Sequence, residues 1–280
     1  MSEPIRSRQA RDLAETALVR LVRAYGAVPE FVLLGGLVPD LLCSQAPRAH
    51  VGTTDVDVQV DLEIQGGSAN SARLERALKD AGFRPDSTRI WRWRDETAPG
   101  LVVKAEFLAD LDDAPAQSTV KFKDCEDLGA INLRGTGFAS RAWELRPMTA
   151  TIDDHPVTVE LRVATLPGYL LAKIHAAYAR RLEKDWYDIA YVLIHNDAGG
   201  PTAAGTQVRE RFGGDLVGQT ATALTELSAN FADATAQGSA AYAETMLGLY
   251  PELNGDILAN DAVAAVAAFI AELKISRQPA

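Results

Sequence analysis

Asp55 and Asp57 stand one residue apart in the run Asp55-Val56-Asp57-Val58-Gln59-Val60-Asp61. The alternation with valine reads as a β-strand over Thr54–Leu62. Period-two geometry puts Asp55, Asp57, Gln59 and Asp61 on one face and the valines on the other. The valine face can join a core. The carboxylate face cannot, because like charges a strand step apart repel unless a cation or ligand lies between them. Two carboxylates side by side suit a hard divalent ion such as Mg2+ or Mn2+, which takes one or two carboxylates and completes its shell with substrate phosphate. The pair alone fits a solvated edge-strand face equally well. Upstream, the apolar run Phe31–Leu34 reads as a strand, Gly35 and Gly36 as a turn, and Leu37–Leu42 as a short helix. Glycines there let backbone N–H groups come close to a phosphate, and a helix N-terminus favours negative charge.

A second charged constellation lies downstream, in Leu170–Val192. Lys173, Ala176, Ala177 and Arg180 share one helix face at i, i+3, i+4 and i+7, and Asp185 and Asp188 share a face of the next helix. One reading is a surface ion-pair network between two packed helices, with Lys173, Arg180, Arg181 and Lys184 set against Asp185 and Asp188. The other is a cationic site for phosphate.

The ordered combination resembles the nucleotidyltransferase superfamily, whose signature is a strand ending in Gly-Gly or Gly-Ser, a short helix, and a D-h-[DE]-h strand. Leu34-Gly35-Gly36 and Asp55-Val56-Asp57-Val58 match it. Thr54 matches the threonine or serine often found before the first aspartate. The connection from Gly36 to Asp55 is longer than in many members, and its extra length, Ser44–Val51, carries Arg48 and His50, which could reach a phosphate. The downstream pattern K-x-x-A-x-x-x-R followed by K-D-x-x-D resembles the AbiEii/AbiGii-type toxin family, which is type IV toxin–antitoxin-like. Lys173, Ala176, Arg180, Lys184, Asp185 and Asp188 fall on it.

The resemblance implies a Mg2+-dependent (or Mn2+-dependent) enzyme that moves NMP from an NTP to a hydroxyl acceptor on tRNA or protein. A cognate antitoxin would be a possible partner. Asp55 and Asp57 would hold the metal, with Glu106 as the third carboxylate and Asp110 as runner-up. Gly35, Gly36, Thr54, Arg48, Arg180 and Lys184 would line the nucleotide. Lys173 would contact its phosphates, and Asp185 or Asp188 would orient that lysine, contact the nucleotide or act as base. Two competing expectations are nucleotidylation of a small molecule and a catalytically inactive nucleotide-binding module.

The elements that must position these residues follow from periodicity. Residues 6–26 repeat apolar side chains at helical spacing. Ser71–Ala81 predicts a helix stopped by Gly82. Arg89–Arg94 and Leu101–Leu108 predict strands, and residues 126–162 further β-structure. A hairpin of Trp143–Ile152 with Val157–Val163 is expected, joined by Asp153–Pro156. Helices follow from Pro167, from Asp185 to His195, and throughout the chain beyond Pro201. The expected fold is α+β: an α/β-layered, nucleotidyltransferase-like mixed sheet with flanking helices over 1–165, then an all-helical region over 166–280 contributing the Lys/Asp motif to the cleft.

With 280 residues, 47% hydrophobic and 24% charged, the chain is long enough for one large domain or two smaller ones. No apolar run reaches membrane-span length, no apolar leader opens the chain, and two cysteines without motif spacing fit a reducing cytoplasm. The net charge of -10 argues against a protein that coats nucleic acid with its whole surface, but leaves room for a local basic cleft. Four arginines fall within Arg84–Arg94. Alternating Trp91 and Trp93 with Arg92 and Arg94 could stack bases and hold phosphate; a buried aromatic face backed by a solvated basic face is preferred. The four histidines show no zinc-like spacing.

Overall fold

The computed structural model describes residues 8–50, 55–60, 68–98 and 101–273, with backbone alone at 8–9, 55–60, 68–69, 97–98 and 101. It is a mixed α+β protein. The chain forms two compact units, one of Met1–Val38 with Val51–Thr165 and the other of Pro39–His50 with Leu166–Ala280. Residues 39–50 thus group with the helices that follow Thr165 rather than with the sheet.

The first unit is built on a mixed sheet. Its main path runs β3 (Arg84–Pro85), β4 (Arg92–Ala98), β5 (Leu101–Ala109), β2 (Asp55–Val60), β1 (Phe31–Leu34), β9 (His155–Ala164), β8 (Trp143–Ile152). β7 (Gly129–Asn132) pairs with the end of β5 and with β6 (Thr119–Lys121). β1 and β2 are antiparallel, whereas β2 and β5 are parallel, as are β1 and β9.

One sheet face is apolar and carries helix α1 (Arg8–Tyr25), whose Ala14, Ala17, Leu18 and Leu21 are fully buried. Each such leucine contributes about 1.5–3 kcal/mol by leaving water. Trp93, Ala105 and Phe107 lie on this face, and Asp95, two residues beyond Trp93, is gripped by Arg20 of α1. α1 also packs on α3 (Ser68–Asp80). The alternation of β4 and β5 therefore sends Arg92, Arg94, Lys104 and Glu106 to the opposite face.

Local details depart from the periodicity. The strand expected at Arg89–Arg94 starts at Arg92, because Arg92 N bonds Arg89 O in a turn. Trp91 is thus outside the strand, and Trp93 is the buried aromatic, as the preferred reading requires. Residues 126–162 contain a short helix α4 (Gly137–Arg141) between β7 and β8. The β8–β9 hairpin turns on Asp153 and Asp154 alone, both with positive φ (50° and 62°). Two such residues make a type I′ connection, which matches strand twist, so pairing continues through Thr151 with Pro156.

The second unit is helical. The short helix α2 (Val38–Leu42) leads into the 43–50 segment; α5 (Leu166–Arg180), α6 (Glu183–His195), α7 (Pro201–Phe212), α8 (Gly218–Asn230), α9 (Gln237–Leu249) and α10 (Gly255–Glu272) make the rest. Tyr169, Trp186, Tyr187, Tyr191, Tyr242 and Phe269 fill its core. None of the described helices is long and apolar enough to cross a membrane.

Candidate functional site

In the first unit the site is set by strand register. β1 pairs with β2 so that Leu34 faces Asp57 and Leu33 faces Val58. Chain continuity then brings the Gly35–Gly36 turn to the Asp55 end of β2. Gly35 has φ +95°, a backbone that a side chain would strain, which explains glycine there. The turn is closed by Val38 N donating to Gly35 O at 3.2 Å.

On its other side β2 pairs with β5, Asp57 opposite Glu106 and Asp55 opposite Lys104. Paired positions on adjacent strands share a face. Glu106 in turn faces Arg92 on β4, whose Nε donates to Glu106 Oε1 at 2.6 Å. A row Arg92–Glu106–Asp57 thus crosses three strands. Sequence reasoning had Arg92 only as part of a basic face; its partner is fixed by a register that no local signal encodes. Asp110, the alternative third carboxylate, is committed elsewhere. Its Oδ2 accepts from Gly135 N (2.8 Å) and Gly137 N (3.1 Å), and Arg134 lies 3.6 Å from Oδ1. Thr54 lies outside the described residues, and β2 is described by its backbone. Among the described residues no three His, Cys, Asp or Glu side chains gather as a metal site.

The oxygen-donor chemistry of the β2–β5 row fits a Mg2+ ion: two aspartate positions on one strand and a glutamate position in register beside them. Arg92 sits as a counter-charge behind Glu106.

In the second unit the Lys/Asp segment forms a buried network. Lys173 Nζ lies 2.7 Å from Asp188 Oδ2 and 3.2 Å from Asp185 Oδ1. Arg180 Nη2 donates to the same Asp185 oxygen at 2.9 Å. Asp185, Asp188 and Lys173 are all buried, so this is an interior network rather than a surface one. Burial works to lower the Lys173 pKa, but Asp188 and then Asp185 outweigh it, and the ammonium is held above the ordinary lysine value. Asp185 Oδ2 is buried without a hydrogen-bond partner among the described residues. Lys184 is half-buried at the start of α6.

His50 completes the network, a role that sequence reasoning missed. Its Nε2 lies 2.9 Å from Asp188 Oδ1, and its ring packs against Tyr187 and Tyr191 at 5.1 and 4.9 Å between centroids. Asp40 Oδ1 accepts from His50 N at 3.2 Å. Arg48 stands over the Tyr250 ring, its carbonyl accepting from Tyr191 OH at 2.7 Å. The two residues expected to reach a phosphate from the long loop are thus engaged with the helical unit. His175 is structural, its Nε2 3.1 Å from Thr220 Oγ1. The His50–Asp188 pairing spans 138 positions, and no periodicity reports a contact of that range.

No protein-family model matches this chain, and neither a curated protein nor a solved structure matches it.

Proposed function

We propose that the protein is a Mg2+-dependent nucleotidyltransferase of toxin-like type, transferring NMP from an NTP to a hydroxyl on tRNA or protein. The observation that supports this most is the register of the first unit. The Gly35–Gly36 turn meets the Asp55 end of β2, and Asp57 pairs with Glu106. A phosphate-approachable turn beside a carboxylate row is the arrangement that phosphoryl chemistry needs.

In this reading Asp55 and Asp57 hold the ion and Glu106 supports them. The ion, when bound, offsets triphosphate charge and aligns the reacting phosphorus. Backbone N–H groups of the Gly35–Gly36 turn donate to a phosphate oxygen, contributing orientation and charge stabilisation. Arg92 fixes Glu106 through its Nε and compensates carboxylate charge that would otherwise accumulate in the row. A carboxylate of this row takes the proton of the hydroxyl as its oxygen bonds to the α-phosphorus, and the bond to the β-phosphate breaks to release pyrophosphate.

The test is transfer of label. The protein is incubated with each α-labelled NTP, Mg2+ and either total tRNA or cell lysate, and the labelled macromolecule is identified. Asp57→Ala is expected to reduce labelling to background while leaving the fold intact by circular dichroism. Labelling that survives this substitution removes the metal role from β2. Failure of all NTPs to label, together with no Mg–NTP binding by calorimetry, overturns the enzyme.

A further inference from the structure

Of the four-arginine stretch the reading above uses only Arg92, and strand register gives a place to Arg84 and Arg94. Arg84 on β3 faces Arg94 on β4; Arg94 faces Lys104 on β5; Lys104 faces Asp55 on β2. Three cations therefore follow one another across three adjacent strands, in a line that ends at the first aspartate of the proposed metal pair. They lie on the sheet face turned away from α1, because Trp93 and Asp95 occupy the other face.

Like charges directly opposite on neighbouring strands destabilise a sheet. Here two such pairs occur in succession, Arg84 with Arg94 and Arg94 with Lys104. Local rules are broken in this way where function requires it. The row is also built rather than incidental. Arg94 Nη2 donates to Asp86 Oδ2 at 2.5 Å, and that carboxylate is pinned by Thr88 N at 2.9 Å and Thr88 Oγ1 at 2.8 Å. Asp86 is buried, yet its pKa falls to about 2: burial raises it, and the Thr88 and Arg94 bonds outweigh that. Arg94 is thus oriented by a carboxylate anchor, with 43% of its side chain left open to solvent. Arg84 is exposed, and its side chain makes no hydrogen bond or ion pair among the described residues.

We propose that Arg84, Arg94 and Lys104 form a phosphate track that binds the backbone of a single-stranded nucleic-acid acceptor and leads it to Asp55 and Asp57. Strand spacing sets the steps at about 4.8 Å, so the far end, Arg84, lies roughly 14 Å from the Asp55 position. A triphosphate reacting at Asp55 and Asp57 engages only the near end of such a line. A polyanionic strand engages all of it, as in grooves that follow a nucleic-acid backbone. The track rests on the nucleotidyltransferase reading for the direction in which it leads. It also reconciles the net charge of -10 with a nucleic-acid acceptor, since the cations are concentrated in one line.

The experiment is fluorescence anisotropy with a short, labelled, single-stranded RNA of mixed sequence, titrated at several salt concentrations. Three phosphate contacts predict a slope of log K against log salt of about -2. Arg84→Glu is expected to weaken binding at least about tenfold at low salt and to flatten the slope by roughly 0.7. Arg84→Lys should keep both, and the off-track control Lys123→Glu should change neither. Arg84 and Lys123 are exposed, so these variants fold. RNA binding indifferent to Arg84→Glu overturns the track, as does a protein that binds inorganic tripolyphosphate but no RNA. Mg–NTP binding is measured separately on the same variants. Its retention in Arg84→Glu alongside lost RNA binding supports the assignment. RNA binding that depends on the track in a protein that neither binds nor transfers NTP upholds the track and refutes the enzyme.

Discussion

Lys173 illustrates how far residue types alone can be read. Its helical spacing with Arg180, and the i, i+3 spacing of Asp185 and Asp188, are visible in the chain. What they do depends on burial. Two carboxylates and a lysine in the interior, with Arg180 reaching in from the surface, make removal of either sign costly, because the remaining charge is stranded away from water. Lys173→Met is expected to destabilise the second unit by about 3–5 kcal/mol, measured by urea denaturation. The same lysine gives a pH signature. Its folded pKa is raised, so its contribution is full below the ordinary lysine value and is lost as pH rises through the folded value. Wild type should therefore lose stability on the alkaline side in a step that Lys173→Met lacks; an identical alkaline profile in both proteins removes the linkage. Asp188 also touches His50, which joins the charges of α5 and α6 to a residue far upstream.

At the scale of elements, the segment from Pro39 to His50 is tied at several points. Asp197, just beyond α6, accepts from Ser44 N at 2.9 Å and Gln45 N at 3.0 Å, and its own N–H donates to Leu42 O at 2.9 Å. Tyr191 holds the Arg48 carbonyl, and Asp188 holds His50. Segments of irregular backbone open readily unless such bonds hold them. Asp197→Ala should speed amide exchange at Ser44 and Gln45 by about tenfold or more while leaving α5 and α6 protected, in hydrogen-exchange mass spectrometry. Unchanged exchange at those two amides would place the anchoring elsewhere. The sequence shows Pro47 and Gly52 as loop punctuation, but the partner of the loop is set by Asp197, more than 140 positions away.

The whole molecule is two units, each discontinuous in sequence, and the second draws residues 39–50 from within the span of the first. A fragment beginning at Leu166 lacks His50 and leaves Asp188 short of a partner inside a buried network. Such a fragment of residues 166–280 is expected to be less stable than the same region in the full chain. A synthetic peptide of residues 39–50 should raise its melting temperature in a concentration-dependent way, as linkage requires. A fragment equally stable with and without the peptide would show that residues 39–50 only decorate the helices.

Alternation and helical spacing made several elements legible: the strand at Phe31–Leu34, the β2 strand with its aspartates, the β8–β9 hairpin and the helical character of the described chain from Leu166 onward. These are local properties, because side-chain period follows from backbone geometry over a few residues. The breaks in the pattern were less visible. The start of β4 depends on a turn at Arg89–Arg92, and α4 is too short for a periodic signal. The sequence by itself determined which residues could do chemistry: the Asp55–Asp57 pair, the Gly35–Gly36 turn, the Lys173–Asp188 segment and the arginine-rich stretch. Only the tertiary structure decided their company. Register set Glu106 beside Asp57 with Arg92 behind it, aligned Arg84, Arg94 and Lys104 into one row, and folding buried Lys173 with its aspartates and His50. Asp57 with Glu106 and His50 with Asp188 join segments far apart in the chain, and even the nearer pairings of β3 with β4 and of α5 with α6 are fixed by packing and hydrogen-bond register, which leave no period in the sequence.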